Sequence, residues 1–215
     1  AHAAESQLRN QVSKGFRVIA LACAQTGTAL ESLEKLEDLP WKFLGFIAFA
    51  DEIRPESKPA IAAALRAGIS VKMITGDHFD TAFHIGQQLN ISSHIDQVSQ
   101  GSDLPETEHE LEPLVKKKNV FARILPKQKF NILSALKKTE ITAMTGDGVN
   151  DVPALVNADI GIAMASGSDV AKDAGDIILL DNNFASIVRA ISEGRIIYDN
   201  IRKMLFYLLA TTLGE

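Results

Sequence analysis

Cysteine, excess positive charge and long apolar runs are three features that this sequence has little of. One cysteine among 215 residues excludes an internal disulfide framework and fits a reducing compartment, where Cys23 is expected to pack in the core. The formal net charge of −5 gives no electrostatic case for nucleic acid or an anionic membrane surface as a partner. With 46% hydrophobic residues, the chain can still bury a good core and is expected to be globular.

No apolar run reaches the roughly 20 residues that a membrane-spanning helix needs. Residues 204–213 are apolar or uncharged, and the sequence then stops at Glu215. This run is either at most half of a membrane span or an amphipathic terminal helix packed on its own domain. The first residues have no initiator methionine and no signal-peptide pattern, so we expect the sequence to be cut from a longer protein at both ends.

Apolar strands and helical patterns alternate along most of the chain. Helices are predicted over residues 56–67, 81–89, 127–138 and 169–174, and a further short helix is predicted to end at Val156. Strands are predicted over residues 69–74, 120–124, 141–144, 160–164 and 177–180. The strands are continuously apolar, which is typical of a parallel sheet covered on both faces. We therefore expect an α/β fold with a doubly wound parallel sheet, and ligands at the carboxyl ends of its strands.

The beginning of the chain has a different pattern. Residues 5–13 predict a helix, and residues 16–24 and 43–50 predict two buried strands of a small first region. Pro55 marks the boundary of this region, because a proline disfavours helical conformation at the residue before it.

Two further segments depart from the strand-helix alternation. Residues 92–113 are polar and acidic and are followed by three lysines, which predicts a solvated surface segment. Residues 183–213 carry apolar side chains at helical spacing, which predicts one long helix or two helices with a break near Gly194.

The most informative stretch is residues 144–155, Met-Thr-Gly-Asp-Gly-Val-Asn-Asp-Val-Pro-Ala-Leu. It places the carboxylates of Asp147 and Asp151 in a loop that Gly146 and Gly148 make compact. Two carboxylates so close repel each other unless a cation lies near, and hard oxygen ligands suit Mg²⁺. Asp, Asn and Gly are also ordinary turn residues, so a plain strand-to-helix turn is the alternative. We interpret the stretch as a magnesium site at the end of a strand.

Weaker signals for phosphate chemistry lie elsewhere. Thr75 and Gly76 follow a predicted strand and can donate hydrogen bonds to phosphoryl oxygens, although a simple turn has the same composition. Lys129 lies on the first turn of a predicted helix and can supply the positive charge that a phosphoryl transition state needs, unless it is a surface lysine. Asn150 can hydrogen-bond a phosphate or lock the loop between the two aspartates.

The order of these motifs resembles that of haloacid-dehalogenase-like enzymes, whose second, third and fourth motifs follow one another in this way. Five stretches resemble more specifically the P-type ion-pumping ATPases, whose phosphorylation domain belongs to that superfamily. They are residues 73–77, 121–129, 145–155, 161–164 and 181–184. The resemblance covers nearly the whole chain, and residues 145–155 are its most specific part.

The resemblance implies a role for each of these residues. Asp147 and Asp151 would lie at the Mg²⁺ site, with Asp147 as the direct ligand. Thr75 and Gly76 would hold the phosphoryl group, Lys129 would neutralise it, and Asn150 would support it. Asp77 and Arg123 would lie near the nucleotide, with ATP as the substrate.

One departure from the family pattern affects function. These pumps transfer the γ-phosphate of ATP to an aspartate in Asp-Lys-Thr-Gly-Thr, and no such run exists in this sequence. Asp181 follows an apolar strand but lacks the neighbours that would make it a nucleophile. We therefore predict that this chain alone cannot form the aspartyl phosphate.

Residues 51–54 match the family's hinge, although Glu52 and Ile53 replace two prolines that are common there.

The resemblance also implies a division into parts. Residues 1–50 would be the last part of a nucleotide-binding domain, residues 51–195 the phosphorylation domain, and residues 196–215 a stalk with the start of a membrane helix. Residues 207–215 resemble the fifth membrane helix of calcium-pump-like members, so Glu215 is a candidate ligand of the transported cation. Thr212 stands where calcium pumps often have Asn, which leaves the ion open. The whole protein would lie in a membrane, with this region on its cytoplasmic side.

Two other functions remain open from the sequence. A free-standing haloacid-dehalogenase-like phosphatase uses the same last three motifs, but its Asp-x-Asp near the start is missing. A binding or regulatory module could also keep the fold without catalysing a reaction.

Overall fold

A computed structural model describes residues 2–12, 15–25, 39–49 and 52–213. Glu215 and the first hinge residue, Asp51, lie outside these ranges, as do the last residues of the predicted helix 5–13 and strand 43–50.

The first region consists of helix α1 (His2–Val12) and strands β1 (Arg17–Cys23) and β2 (Lys42–Phe49), which pair antiparallel. Both predicted strands are present, but the prediction that they are buried is wrong. Ile19 is 54% exposed, Leu44 is 60% exposed, and Cys23 is exposed rather than packed in a core. The physical reason is that two strands form a single ladder, which the described residues cover only in part.

The rest of the chain alternates strands and helices, as predicted. In order, the elements are α2 (Ser57–Arg66), β3 (Met73–Ile74), α3 (Phe79–Gln88), β4 (Val98–Gln100), α4 (Glu108–Lys117), β5 (Val120–Ala122), α5 (Pro126–Lys137), β6 (Ala143–Gly146), α6 (Val152–Asn157), β7 (Ile160–Met164), α7 (Asp169–Ala174), β8 (Ile177–Leu179) and α8 (Phe184–Leu213). All pairings among β3 to β8 are parallel, which confirms the α/β class.

The parallel strands form two sheets rather than one. Their orders are β3-β5-β4 and β6-β7-β8, and within the described residues no ladder joins β3 to β6. Each of these two strands therefore has one edge without a described partner strand. The same feature accounts for the length of β3, which is two residues long although an apolar strand was predicted over residues 69–74.

Strand β5 shows why a continuously apolar strand needs helices on both faces. Val120, Phe121 and Ala122 are all fully buried. Val120 and Ala122 belong to a cluster with Ile61 of α2 and Ala82 of α3. Phe121 points to the other face, where α4 and α5 supply the cluster residues Leu111, Val115 and Ile132. The alternation of a strand thus distributes one apolar run between two cores.

The prediction of a solvated segment over residues 92–113 is partly wrong. This segment contains β4, whose Val98 and Ser99 are buried, and the first part of α4, whose Leu111 is 3% exposed. Pro113 lies inside α4. Most of the polar residues that dominate the composition are exposed, and a strand of three residues is too short to show a period.

Helix α8 is one continuous helix of 30 residues with no break at Gly194. Its first turns pack on the second sheet through Phe184, Ile187 and Ile191. Beyond Ile191 the side chains are exposed as far as Thr212. No helix in the described part of the chain combines the length and apolar character needed to cross a bilayer.

Candidate functional site

Three loops at the carboxyl ends of parallel strands carry most of the predicted site residues, and Lys129 lies on α5. The loop after β3 contains Thr75, Gly76 and Asp77, the loop after β5 contains Arg123, and the loop after β6 runs from Asp147 to Asp151. The first two loops belong to one parallel sheet and the third to the other, and in each sheet this is the edge where ligands bind in α/β proteins.

The loops after β3 and β5 are joined through their backbones. The Thr75 amide donates to Phe121 O at 2.9 Å, and the Ile124 amide donates back to Thr75 O at 3.0 Å. The Arg123 amide donates to Asp77 O at 2.9 Å, and Arg123 adopts a left-handed backbone with φ of 50°. Non-glycine residues rarely adopt this conformation, so the bond to Asp77 holds the turn.

Thr75 and Asp77 also bond through their side chains. Thr75 Oγ1 donates to Asp77 Oδ2 at 2.8 Å and accepts from the Asp77 amide at 3.1 Å. Between them Gly76 is exposed, and a Cβ placed on it would have no other atom within 4 Å. The space beside the Gly76 main chain is therefore open.

Lys129 and Asp151 form the shortest polar contact described at the site. Lys129 Nζ lies 2.6 Å from Asp151 Oδ1, with side-chain exposures of 19% and 9%. The Gly148 amide lies 3.4 Å from the other carboxylate oxygen. A Cβ on Gly146 would stand 2.6 Å from the Asp151 Cβ, so only glycine fits under this side chain. The contact joins helix α5 to the loop after β6 and holds an ammonium group at the site.

Gln128 is a site-building residue that sequence reasoning missed. Its Oε1 accepts from the Leu125 amide at 2.9 Å, and its Nε2 donates to Gly101 O at 2.7 Å. These bonds fix the first turn of α5, which carries Lys129. The signal was present in the sequence, because a glutamine three residues after the helix cap is a common way to satisfy a free amide.

Asp147 differs from Asp151 in being exposed, as is Asn150. Its backbone carbonyl accepts from the Ser168 amide at 2.8 Å, which fixes its main chain while leaving the carboxylate accessible. The described residues contain no group of three or more His, Cys, Asp or Glu side chains placed to hold a metal ion. Mg²⁺ fits such a site nonetheless, because it commonly takes one or two carboxylates, several waters and substrate phosphates. One carboxylate oxygen of Asp151 is already bonded to Lys129, so Asp147 is better placed to be the direct ligand of Mg²⁺.

Asp181 lies apart from these groups. Its Oδ2 accepts from Ser186 Oγ at 2.5 Å and its Oδ1 from the Asn183 amide at 3.1 Å. The bond from the Ser186 hydroxyl is the main reason that the pKa of Asp181 lies below its usual value. Both of its oxygens are thus bonded beside the start of α8, where Asn183 Oδ1 caps the helix by accepting from the Ala185 amide at 2.9 Å.

Comparisons with known proteins show the family to which this chain belongs. A family model for haloacid dehalogenase-like hydrolases matches residues 4–159. Calcium-transporting ATPase 1 of Bacillus cereus is 42% identical over 94% of this chain and 23% of its own length. The calcium-transporting ATPase of Bacillus subtilis is 44% identical over 98% of this chain and 24% of its own.

A solved structure supports the same assignment. A zinc-transporting PIB-type ATPase in its E2.Pi state has a TM-score of 0.65, 26% identity, and coverage of 94% of this chain and 26% of its own. The chain thus spans about a quarter of the length of the relatives it matches. It belongs to the haloacid dehalogenase-like hydrolases and is homologous to one part of the cation-transporting P-type ATPases.

Proposed function

We propose that this chain is the cytoplasmic phosphorylation unit of an ATP-driven cation-transporting ATPase that uses Mg²⁺. The observation that carries the proposal is the Lys129–Asp151 contact of 2.6 Å, made to the loop that also carries the exposed carboxylate of Asp147. A fixed ammonium group can neutralise a phosphoryl group, and an accessible carboxylate of the same loop can bind the metal ion that accompanies it. The ATPase relatives favour this function over a free-standing phosphatase or a non-catalytic module.

Each predicted site residue has a part in this proposal. Asp147 holds Mg²⁺, and Asp151 orients Lys129 toward the phosphoryl oxygens. The Gly76 amide donates to the same oxygens, the Thr75 hydroxyl does so when it turns from Asp77 Oδ2 to the phosphate, and Asn150 supports the phosphate from the other loop. Asp77 and Arg123 lie on the nucleotide side. When bound, Mg²⁺ supplies charge neutralisation during phosphoryl transfer.

The aspartate that attacks the γ-phosphorus of ATP must come from outside these 215 residues, since the sequence has no Asp-Lys-Thr-Gly-Thr. The edges of β3 and β6, which have no partner strand among the described residues, support this view. A parallel strand between β3 and β6 would pair with both and would end between the Thr75 loop and the Asp147 loop. Its terminal carboxylate would form the new bond to phosphorus while ADP leaves.

We assign the remaining parts by the same homology. Residues 1–50 form the last part of a nucleotide-binding domain, and residues 51–195 form the phosphorylation domain. Residues 196–215 form a stalk and the start of a membrane helix. Glu215 would then be a ligand of the transported cation. The names of several relatives support Ca²⁺ as that cation, whereas the similar solved structure is described as a zinc transporter. Uptake of Ca²⁺ and Zn²⁺ into vesicles containing the longer protein would decide between them.

Acid-quench mass spectrometry tests the proposed function. The longer protein and this chain are each mixed briefly with ATP and Mg²⁺ and then acidified. We expect one acid-stable, hydroxylamine-labile phosphate on the longer protein and none on this chain. Phosphate on this chain, or no phosphate on the longer protein, would contradict the proposal. Asp181→Asn is the matched control and should leave phosphate incorporation in the longer protein unchanged.

A further inference from the structure

Asn182 connects three separate segments, and the site described above does not use it. It lies between β8 and α8, directly after Asp181. Its side-chain Oδ1 accepts from the Ser166 amide at 2.9 Å and from the Ser166 hydroxyl at 3.1 Å. Its backbone carbonyl accepts from the guanidinium of Arg54. One residue thus holds the loop after β7 and the segment that links the first region to α2.

The backbone of Asn182 explains why this residue type suits the position. Asn182 has a φ of 52°, a left-handed conformation that asparagine adopts more readily than most residues. Its backbone amide donates to Leu179 O at 3.2 Å, and this bond closes the turn after β8. A glycine would accept the same backbone but would have no oxygen for Ser166.

The loop held by Asn182 in turn holds the main chain of Asp147. The Ser168 amide donates to Asp147 O at 2.8 Å. A Cβ on Gly167 would stand 2.7 Å from Asp147 O and 2.9 Å from Asp147 Cα, so the two backbones are in direct contact there. A shift of residues 166–168 therefore requires either a break of this bond or a movement of Asp147.

We infer that Asn182 is a positioning residue that couples the Arg54 segment to the backbone of Asp147 through Ser166 and Ser168. The consequence for Mg²⁺ rests on the proposed function, whereas the coupling itself does not. Arg54, Asn182, Ser166, Ser168 and Asp147 form a continuous path of hydrogen bonds and chain neighbours. An approach of the first region toward the site, transmitted by Arg54, would thereby act on the loop that carries the metal ligand.

Hydrogen exchange of single amides in this chain without metal tests the coupling. In Asn182→Gly we expect exchange of the Ser168 amide to accelerate by about fivefold, the effect of losing roughly one hydrogen bond. The Asn119 amide, which donates to Gln97 O at the other edge, should be unchanged. Asn182→Asp keeps an acceptor oxygen and should remain within about twofold of the parent chain. Accelerated exchange at Ser166 with unchanged exchange at Ser168 would overturn the inference.

Asn90→Gly is the matched control for backbone effects. Asn90 is exposed and has a φ of 59°, so the same substitution is made at a second left-handed position remote from these loops. We expect no acceleration at Ser168 in this variant. An equal acceleration in Asn90→Gly would show a global loss of stability and would also overturn the inference.

The Mg²⁺ dependence of phosphorylation in the longer protein provides the second readout. In Asn182→Gly we expect the Mg²⁺ concentration for half-maximal phosphate incorporation to rise about three- to tenfold, with an unchanged maximum at saturating Mg²⁺. An unchanged Mg²⁺ dependence would remove the link to the metal site. If the parent protein incorporates no phosphate, the proposed function fails, and the exchange experiment still decides the coupling.

Discussion

The two edges of the parallel sheets use charge in opposite ways. At the amino edge, charged side chains bond mainly to backbone. Lys72 Nζ donates to Lys118 O at 2.7 Å, and Lys118 Nζ donates to Asp96 O at 2.5 Å. Asp159 accepts from the Thr142 amide at 2.9 Å, and Asp176 accepts from the Gly161 amide at 2.7 Å. These charged groups hold the strands in place through their bonds to the backbone.

At the carboxyl edge, the corresponding bonds run between side chains. Thr75 bonds Asp77, Lys129 bonds Asp151, and Asp147 stays exposed. A charged group that bonds the backbone stabilises the fold, whereas the exposed carboxylate of Asp147 remains accessible to a ligand. The comparison teaches that position on the sheet, rather than residue type, separates structural from functional charges.

Asp147→Asn should have the largest effect on activity. Because its exposed carboxylate holds Mg²⁺ in our proposal, we expect phosphate incorporation by the longer protein to fall about a thousandfold or more. The free energy of unfolding should change by less than about 0.5 kcal/mol, as for other exposed positions. Rapid acid quench and urea unfolding measure the two quantities. Asp159→Asn at the amino edge is the control, and an equal loss of activity there would break the comparison.

Gly146→Ala should have the largest effect on stability. The added Cβ would stand 2.6 Å from the Asp151 Cβ, which is too close for any real contact. The strain should cost about 1–3 kcal/mol of unfolding free energy in urea. Gly194→Ala adds a Cβ with no neighbour within 4 Å in the middle of α8, and should stabilise the chain by about 0.5–1 kcal/mol. Equal stability of the two variants would refute the steric account of the Asp147 loop.

Asp159 should make stability depend on pH at the amino edge. The Thr142 amide is the main cause that holds the pKa of Asp159 below its usual value of 3.8. A carboxyl group with a lowered pKa in the folded state stabilises the fold above the unfolded pKa, and this contribution is lost as the pH falls through the lowered value. The difference in urea midpoint between the parent chain and Asp159→Asn should therefore shrink on acidification from pH 7 to below about 3.8. A difference in urea midpoint that does not change with pH would show that Asp159 stabilises the fold by packing and not by its charge.

Ser92→Ala should have the smallest effect. Ser92 is 2% exposed, and its Oγ is the one buried side-chain polar atom without a hydrogen bond in the described part of the chain. Removal of an unsatisfied hydroxyl leaves no partner behind, so we expect a change between zero and a gain of about 1 kcal/mol. Urea unfolding measures it, and Ser99→Ala, another buried serine, serves as the comparison. A clear loss of stability would indicate that Ser92 has a partner after all.

Some expectations followed from local spacing, which a sequence displays directly. The loop from Asp147 to Asp151, the helix that begins before Lys129 and the strand before Thr75 all depend on neighbours a few residues away. The burial of β1 and β2 depends instead on what covers them, and apolar composition alone predicted it wrongly. Strand β4 and the apolar face of α4 were missed because polar neighbours dominate their composition.

The sequence by itself determined the α/β alternation and the order of the motifs, because periodicity and turn chemistry act over a few residues. Only the tertiary structure decided which charges meet. It paired Lys129 with Asp151 across 22 positions of the chain and placed Gln128 against Gly101. It also brought Asn182 into hydrogen-bond contact with Ser166 and Arg54. Such contacts depend on how strands and helices pack, and side chains far apart in sequence become neighbours only when the elements that carry them are in place.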